Sequence, residues 1–187
     1  NDWRHKGIDS NDAISIILAG EWTDKLLHSK RDKDNIENSQ ELDLNPDLIQ
    51  EARDQYEEKS GIKVFPLFIQ DRRFPWLQAS IDGFSEDFNK IVKISSTDEA
   101  YKNAEKNIFP KTQLQHLLMI TGLEEIDYWC YLQNKKGILM TVSRDQSFIS
   151  KLYKAEKEFA EKLNMKEKSD DLNKEFHDIL KSAGMKL

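Results

Sequence analysis

Two short apolar segments separated by a polar turn constrain the fold of this chain most. Residues 76–84 read WLQASIDGF, residues 91–95 read IVKIS, and the intervening stretch SEDFNK is mostly polar. Apolar runs bounded by polar turns are typical of paired strands. The pattern therefore predicts a strand hairpin in which Asp82 stands near the end of the first strand. Alternation along the second strand places Lys93 and Ser95 on the same face.

The rest of the chain alternates predicted helices and strands, which indicates an α/β (α+β) fold with a mixed central sheet flanked by helices. Residues 30–45 are predicted to form a polar surface loop. One domain is expected over residues 1–163, followed by a helical extension over residues 164–187 that packs on the domain or on a partner. Helices are predicted at 11–19, 45–61, 113–121, 145–163 and about 169–184, another is opened by a capping box at Ser96-Thr97-Asp98-Glu99, and strands are predicted at 62–69, 74–81, 90–95, 126–133 and 138–143.

The charge of the chain is unusual for a nucleic-acid-binding protein. The net charge is −6, and residues 151–187 carry nine Lys against eight Asp or Glu, which leaves −7 on residues 1–150. A nucleic-acid binder usually carries a basic surface, because phosphate neutralisation supplies most of its affinity. The acidic body counts against DNA binding, although a local basic groove can coexist with an acidic exterior.

The single cysteine and the lack of long apolar runs indicate the compartment. Cys130 has no second cysteine with which to form an intrachain disulfide, so a buried thiol in a reducing compartment, the cytoplasm, is expected. No apolar run approaches the roughly 18 residues that span a bilayer, and no membrane partner is expected. The histidines lack metal-ligand spacing, and His116 is expected to pack in the fold or lie at the surface.

Five motifs in order resemble one nuclease family. They are RHKGIDSNDA at 4–13, YEEKSG at 56–61, the hairpin with SIDG at 80–83, QLQHLLMITG at 113–122 and RDQSFI at 144–149. Over residues 3–163 the chain resembles the YqaJ-like viral recombinase, or lambda-type phage exonuclease, family of the PD-(D/E)XK nuclease superfamily. The resemblance implies a restriction-endonuclease-like fold, and in active members two Mg2+ or Mn2+ ions that serve phosphodiester hydrolysis.

The resemblance also implies a catalytic set that this chain has largely lost. Asp82 matches the strand acid, but Lys93 occupies the position of the second acid and Ser95 that of the lysine. The helix acid falls at Ile49, and Glu51, about 200° around the helix from it, is expected to point to the opposite face. A lysine repels a divalent ion. Asp82 is therefore expected to be a vestigial metal ligand, at most a weak one, that forms an ion pair with Lys93.

The phosphate contacts implied by the resemblance are better preserved. Arg4 and Ser80 match residues that grip a DNA 5′-phosphate, and Asn11 replaces a serine there. The alternatives are that Arg4 makes a surface ion pair and that Ser80 ends a strand. Gln113 and Gln115 either donate to the scissile phosphate or form hydrogen bonds within the fold.

Three functions remain open. The first is a catalytically inactive, phage-derived recombination protein that binds duplex DNA ends with a 5′-phosphate, a protein partner or copies of itself. The second is an interaction or effector module without DNA affinity. The third is an active 5′–3′ DNA exonuclease in which another acid has moved into the site; only then would Mg2+ or Mn2+ be a cofactor. The candidate acids are Glu86, Asp87, Asp98 and Glu99.

Overall fold

The computed structural model describes residues 7–31 and 46–165. No helix within these ranges is long and apolar enough to cross a membrane. The predicted contacts of Arg4 and the predicted helix at 169–184 lie outside the described residues. In chain order the elements are α1 (Ser10–Leu18), α2 (Glu21–Arg31), α3 (Pro46–Ser60), β1 (Val64–Gln70), β2 (Gln78–Ser85), β3 (Ile91–Ser95), α4 (Asp98–Glu105), α5 (Lys111–Thr121), β4 (Glu125–Cys130), β5 (Ile138–Ser143) and α6 (Gln146–Lys162).

The strands form one five-stranded sheet in the order β1-β2-β3-β4-β5, which confirms the predicted mixed sheet. Strands β3 and β4 are parallel, whereas the other neighbouring pairs are antiparallel. Parallel neighbours need a long crossover connection. Helices α4 and α5 supply it here between β3 and β4.

Apolar side chains on both faces of the sheet hold the layers together. Ile91 packs in a cluster with residues of α4 and α5 such as Leu117. Val92 belongs to a second cluster that includes Ala52 of α3. Because neighbouring residues of β3 enter opposite clusters, the predicted alternation of this strand is confirmed. A third cluster joins the start of the described chain, α1 and α6, and includes Trp76.

The helix ends follow the predicted signals closely. Gly61 and Gly122 end α3 and α5 with φ of 72° and 74°, a backbone conformation that glycine adopts without a steric penalty. Asp145 caps α6, because its side chain accepts the Phe148 N–H. The predicted capping box of α4 is wrong by one residue. Thr97, not Ser96, is the cap, and its side chain accepts the Ala100 N–H.

Two further predictions are wrong. The second strand occupies Gln78–Ser85 instead of residues 74–81. Phe74 and Trp76 lie outside the sheet and pack against Tyr153 of α6, with ring centroids 5.6 Å and 6.2 Å from its ring centroid. Residues 30 and 31 are helical, not part of a loop. They end α2, which contains no fully buried residue and therefore lacks a strong apolar signal.

Candidate functional site

The pairing between β2 and β3 ends beside Asp82. Gly83 pairs with Val92 at the end of the ladder. At the next residue the hydrogen-bond acceptor is a side chain instead of the backbone: Asp82 Oδ2 accepts a hydrogen bond from the Ile94 N–H at 2.8 Å. The same oxygen accepts a hydrogen bond from Lys93 Nζ, also at 2.8 Å. The carboxylate therefore joins the two strands where their backbones separate.

The predicted ion pair between Asp82 and Lys93 is confirmed. Both side chains are 23% exposed, so water screens the attraction and its net worth is about 1 kcal/mol or less. Arg53 of α3 adds a second cation, since its Nε donates to the Asp82 carbonyl oxygen at 3.1 Å. The carboxylate and the backbone carbonyl oxygen of Asp82 are thus each bonded to a cationic side chain, and positive charge nearby repels a divalent ion.

Helix α3 contacts the sheet through one stripe of side chains. Leu48 and Ala52 pack against the sheet, so Ile49 and Glu51 lie on opposite flanks of the inner stripe, at about 100° per residue. Glu51 thus lies on the opposite side of the helix from Ile49, as predicted, but close enough to the sheet to contact Tyr131. Its Oε1 accepts the Tyr131 hydroxyl at 2.5 Å. Glu51 therefore lies at the end of β4 with its carboxylate engaged.

Ser95 contacts the apolar core rather than the Asp82 carboxylate. It pairs with Cys130 across the parallel β3–β4 ladder. Burial raises the pKa of Tyr128, a hydrogen bond with Cys130 acts in the same direction, and a hydrogen bond with Ser95 opposes both. Ser95 therefore lies beside two residues of the apolar core, Tyr128 and Cys130.

The residues at the Asp82 position do not fit a two-metal centre. Such a centre needs several hard oxygen ligands converging on the ions. Asp82 Oδ2 is engaged by Lys93 and Ile94, and Glu51 Oε1 by Tyr131. Within residues 7–31 and 46–165, no three His, Cys, Asp or Glu side chains are grouped so that they could hold a metal ion.

The four acids considered as replacements lie on either side of this position. Asp87 belongs to the β2–β3 turn, where its carboxylate accepts Ser85 Oγ at 2.7 Å and Asn89 Nδ2 at 2.6 Å. The hydrogen bond from Ser85 lowers the pKa of Asp87. From Asp82 to the start of this turn at Glu86 is about 13 Å, at roughly 3.3 Å per strand residue. Asp98 and Glu99 are exposed in the first turn of α4.

Two of the predicted phosphate contacts meet between α1 and α5. Gln113 Nε2 donates to Asn11 Oδ1 at 2.6 Å, and Ser80 is exposed on β2. The backbone at the start of α1 is already bonded to an acid, because Asp9 Oδ1 accepts the Asn11 N–H at 2.7 Å. A helix N-terminus attracts phosphate through such N–H groups. The Asp9 carboxylate therefore already accepts the N–H groups at the start of α1 that could otherwise bind a phosphate.

Gln115 is part of the fold. It is 1% exposed, its Nε2 donates to the Ser143 carbonyl at 2.9 Å, and its Oε1 accepts the Asp145 N–H at 2.8 Å. Both ends of the amide are thus used to hold the β5–α6 turn. Gln115 therefore forms hydrogen bonds within the fold, which is the second of the two alternatives drawn from the sequence.

A buried carboxylate on β4 was not singled out from the sequence. Asp127 is 3% exposed, and it accepts the Tyr56 hydroxyl and Thr141 Oγ1, each at 2.8 Å. Lys90 Nζ lies 3.6 Å from its Oδ1. A lone acid within an apolar strand is the signal that could have indicated a buried network, since buried charges are paired.

His116 packs in the fold, as expected, but as a charged group. Its Nδ1 lies 2.8 Å from Glu156 Oε1 and its Nε2 lies 2.9 Å from the Gln78 carbonyl oxygen. Both neighbours are acceptors, so both ring nitrogens carry protons. Burial alone lowers the pKa of His116, but the charge and hydrogen bond of Glu156 outweigh it and raise the pKa to about 9.

The fold consists of a mixed sheet with a helix on one face and a helical crossover on the other, and Asp82 lies where two of its strands separate. The chain shares this fold with solved exonucleases. An alkaline exonuclease (LHK-Exo) from Laribacter hongkongensis superposes with a TM-score of 0.74 at 15% identity, covering 98% of this chain and 97% of the exonuclease. The same enzyme in complex with dAMP gives 0.73 at 15% identity and the same coverage. A phage related exonuclease from Haemophilus somnus 129PT gives 0.61 at 11% identity, covering 87% and 97%.

At these identities the likeness concerns the fold. No protein-family model and no curated protein sequence matches the chain.

Proposed function

We propose that this chain is a pseudonuclease, a nuclease-fold protein of the phage recombination type that binds DNA ends without cutting them. The observation that carries the proposal is that one carboxylate oxygen of Asp82 already accepts hydrogen bonds from both the Lys93 ammonium and the Ile94 N–H. A ligand acid that is bonded to a cation must give up that partner to bind a metal. Phosphodiester hydrolysis by metal-bound oxygens is therefore disfavoured at this position.

Binding to DNA ends is supported by the exposed groups near α1 and by the likeness of the fold to an exonuclease solved with dAMP. Ser80 is exposed, and Asn11 and Gln113 offer polar groups between two helices. The Asp9 carboxylate and the acidic body oppose phosphate. We therefore expect weak binding that needs no metal and falls steeply with salt. A reducing compartment, the cytoplasm, is consistent with the buried Cys130 thiol.

One experiment tests this proposal on the full chain. Mn2+ titration by calorimetry and digestion of a fluorescent 5′-phosphorylated duplex are compared for wild type, Asp82→Ala and Lys93→Glu/Ser95→Lys. We expect neither Mn2+ binding nor digestion by wild type, and measurable Mn2+ binding by the double variant, in which a second carboxylate faces Asp82. Metal-dependent digestion by wild type that Asp82→Ala abolishes would overturn the proposal and establish an active 5′–3′ exonuclease with a relocated acid.

A protein-binding role without DNA affinity is the second candidate, because the body of the chain carries a charge of −7 over residues 1–150. The two candidates differ in one measurement. Fluorescence anisotropy of a labelled duplex with and without a 5′-phosphate, at about 50 mM and 200 mM salt, detects end binding. If the protein changes the anisotropy of neither duplex at the lower salt, the protein-binding module is favoured.

A further inference from the structure

An apolar surface is exposed where α1 meets α2. Leu18 is 62% exposed and Trp22 is 60% exposed. Lys25 Nζ lies 5.5 Å from the centroid of the Trp22 ring. One turn after Trp22, Leu26 packs against the third core cluster. We call the two exposed side chains, Leu18 at the end of α1 and Trp22 near the start of α2, the α2 strip.

The C-terminal end of α6 lies beside the same helix. Arg31 at the end of α2 donates from Nη2 to the Lys162 carbonyl oxygen at 3.0 Å. Leu163 and Met165 pack against the cluster that also receives Leu26. The described chain therefore ends, at Met165, next to α2.

We propose that residues 166–187, which follow directly, cover the α2 strip in the same molecule. This segment lies outside the described residues, but its sequence places Leu172, Phe176, Ile179 and Leu180 at the spacing of one helical face. From Arg31 to Trp22 is about 14 Å along α2, and 22 residues reach about 33 Å even as a helix, at 1.5 Å per residue. The segment is long enough to lay this apolar face on the strip.

Covalent attachment favours this segment over a second copy of the chain. A segment tethered beside its binding surface has an effective concentration on the order of millimolar. A second copy of the chain at micromolar concentration competes poorly with it. The proposal does not depend on DNA binding, because the strip contains none of the residues assigned to the phosphate contacts.

Hydrogen exchange followed by mass spectrometry tests the proposal on the full chain. Peptides within residues 170–183 are compared in wild type, in Leu18→Gln/Trp22→Gln and in Ile108→Gln. The double variant removes exposed apolar surface without changing charge, and Ile108, 52% exposed between α4 and α5, is the matched control. Burial of one large apolar side chain is worth on the order of a tenfold change in an equilibrium constant or more. We expect protection of 170–183 to fall about tenfold in the double variant and to stay at the wild-type level in the control.

Three results would overturn the proposal. The first is exchange of 170–183 in wild type at the rate of an unstructured peptide. The second is protection that Leu18→Gln/Trp22→Gln leaves unchanged. The third is protection that disappears on dilution together with a dimer mass in light scattering, which would assign the strip to a second copy. Folding of the variants is checked by unchanged exchange of the β3 and β4 amides.

Discussion

Lys93 Nζ and the Ile94 N–H share one acceptor, Asp82 Oδ2, at 2.8 Å each. The two bonds differ in their expected contribution to stability. The ion pair is partly exposed and screened, whereas the Ile94 amide lies between two strands and has the carboxylate as its acceptor. Substitutions at Asp82 can separate the two contributions.

Asp82→Asn keeps an oxygen for the Ile94 N–H and loses the ion pair, so we expect it to lower the free energy of unfolding by about 1 kcal/mol or less. Asp82→Ala also leaves the amide without an acceptor, which costs about 1–3 kcal/mol more. Urea denaturation of both variants measures the difference. Equal losses in the two variants would show that the amide bond contributes nothing.

The stability of the protein should fall as the pH rises from about 6.5 to about 9. The pKa of His116 is raised in the folded state from 6.5 to about 9, so its contribution is fully present below 6.5 and is lost as the pH passes through about 9. We expect a loss on the order of 1–3 kcal/mol between pH 6 and pH 9.5, measured by urea denaturation.

The matched control for this pH effect is Glu156→Gln, which removes the carboxylate that holds the proton on His116. The slope between pH 6.5 and 9 should disappear in this variant. Asp12 does not interfere, since burial raises its pKa from 3.8 to about 6 and its effect falls at lower pH. There, stability declines as the pH rises through about 6, because the folded state holds the proton more tightly. A wild-type slope that survives in Glu156→Gln would contradict the assignment.

Gly137→Ala should destabilise the protein by a steric clash. A Cβ at Gly137 would lie 2.1 Å from Cη2 and 2.2 Å from Cζ2 of the Trp129 ring, and Trp129 is fixed because its Nε1–H donates to the Ala52 carbonyl at 2.9 Å. We expect a loss of about 1–3 kcal/mol by thermal or urea unfolding. Gly122→Ala is the comparison, since a Cβ there meets nothing within 4 Å but φ is +74°. Its cost is backbone strain alone, about 1–2 kcal/mol, and it should leave the near-ultraviolet signal of Trp129 unchanged.

Gln115→Ala should lower the stability of the protein, whereas Gln113→Ala should leave it nearly unchanged. Gln115 is buried with both amide groups bonded to the β5–α6 turn, and its loss should cost about 2–4 kcal/mol of stability. Gln113 is held by Asn11 near the surface, so its loss should change stability by about 0.5 kcal/mol or less. If the DNA-end proposal holds, anisotropy will show weaker duplex binding for Gln113→Ala at unchanged stability. Unchanged affinity would remove Gln113 from the interface.

Strong local signals predicted most of the fold. The alternation of β3, the αL glycines Gly61 and Gly122, and the Asp145 cap each depend on a few neighbouring residues. The start of β2 was misplaced because Phe74 and Trp76 satisfy a strand pattern yet pack against α6, a contact that local sequence does not encode.

The candidate site was predictable where it depends on strand register and less so where it depends on packing between distant elements. The Asp82–Lys93 pair follows from the hairpin. Arg53 reaches Asp82 across 29 residues and Glu51 reaches Tyr131 across 80. Both contacts depend on which stripe of α3 meets the sheet, and that stripe is set by Leu48 and Ala52 rather than by Ile49.

The Asp82 carboxylate accepts a hydrogen bond between β2 and β3, as a backbone carbonyl does elsewhere in the sheet. Such a contact gives Asp82 a structural role that does not depend on any chemistry at this position, because its removal leaves the Ile94 N–H between β2 and β3 without its acceptor. An aspartate at the motif position in a distant sequence is therefore weak evidence for cutting.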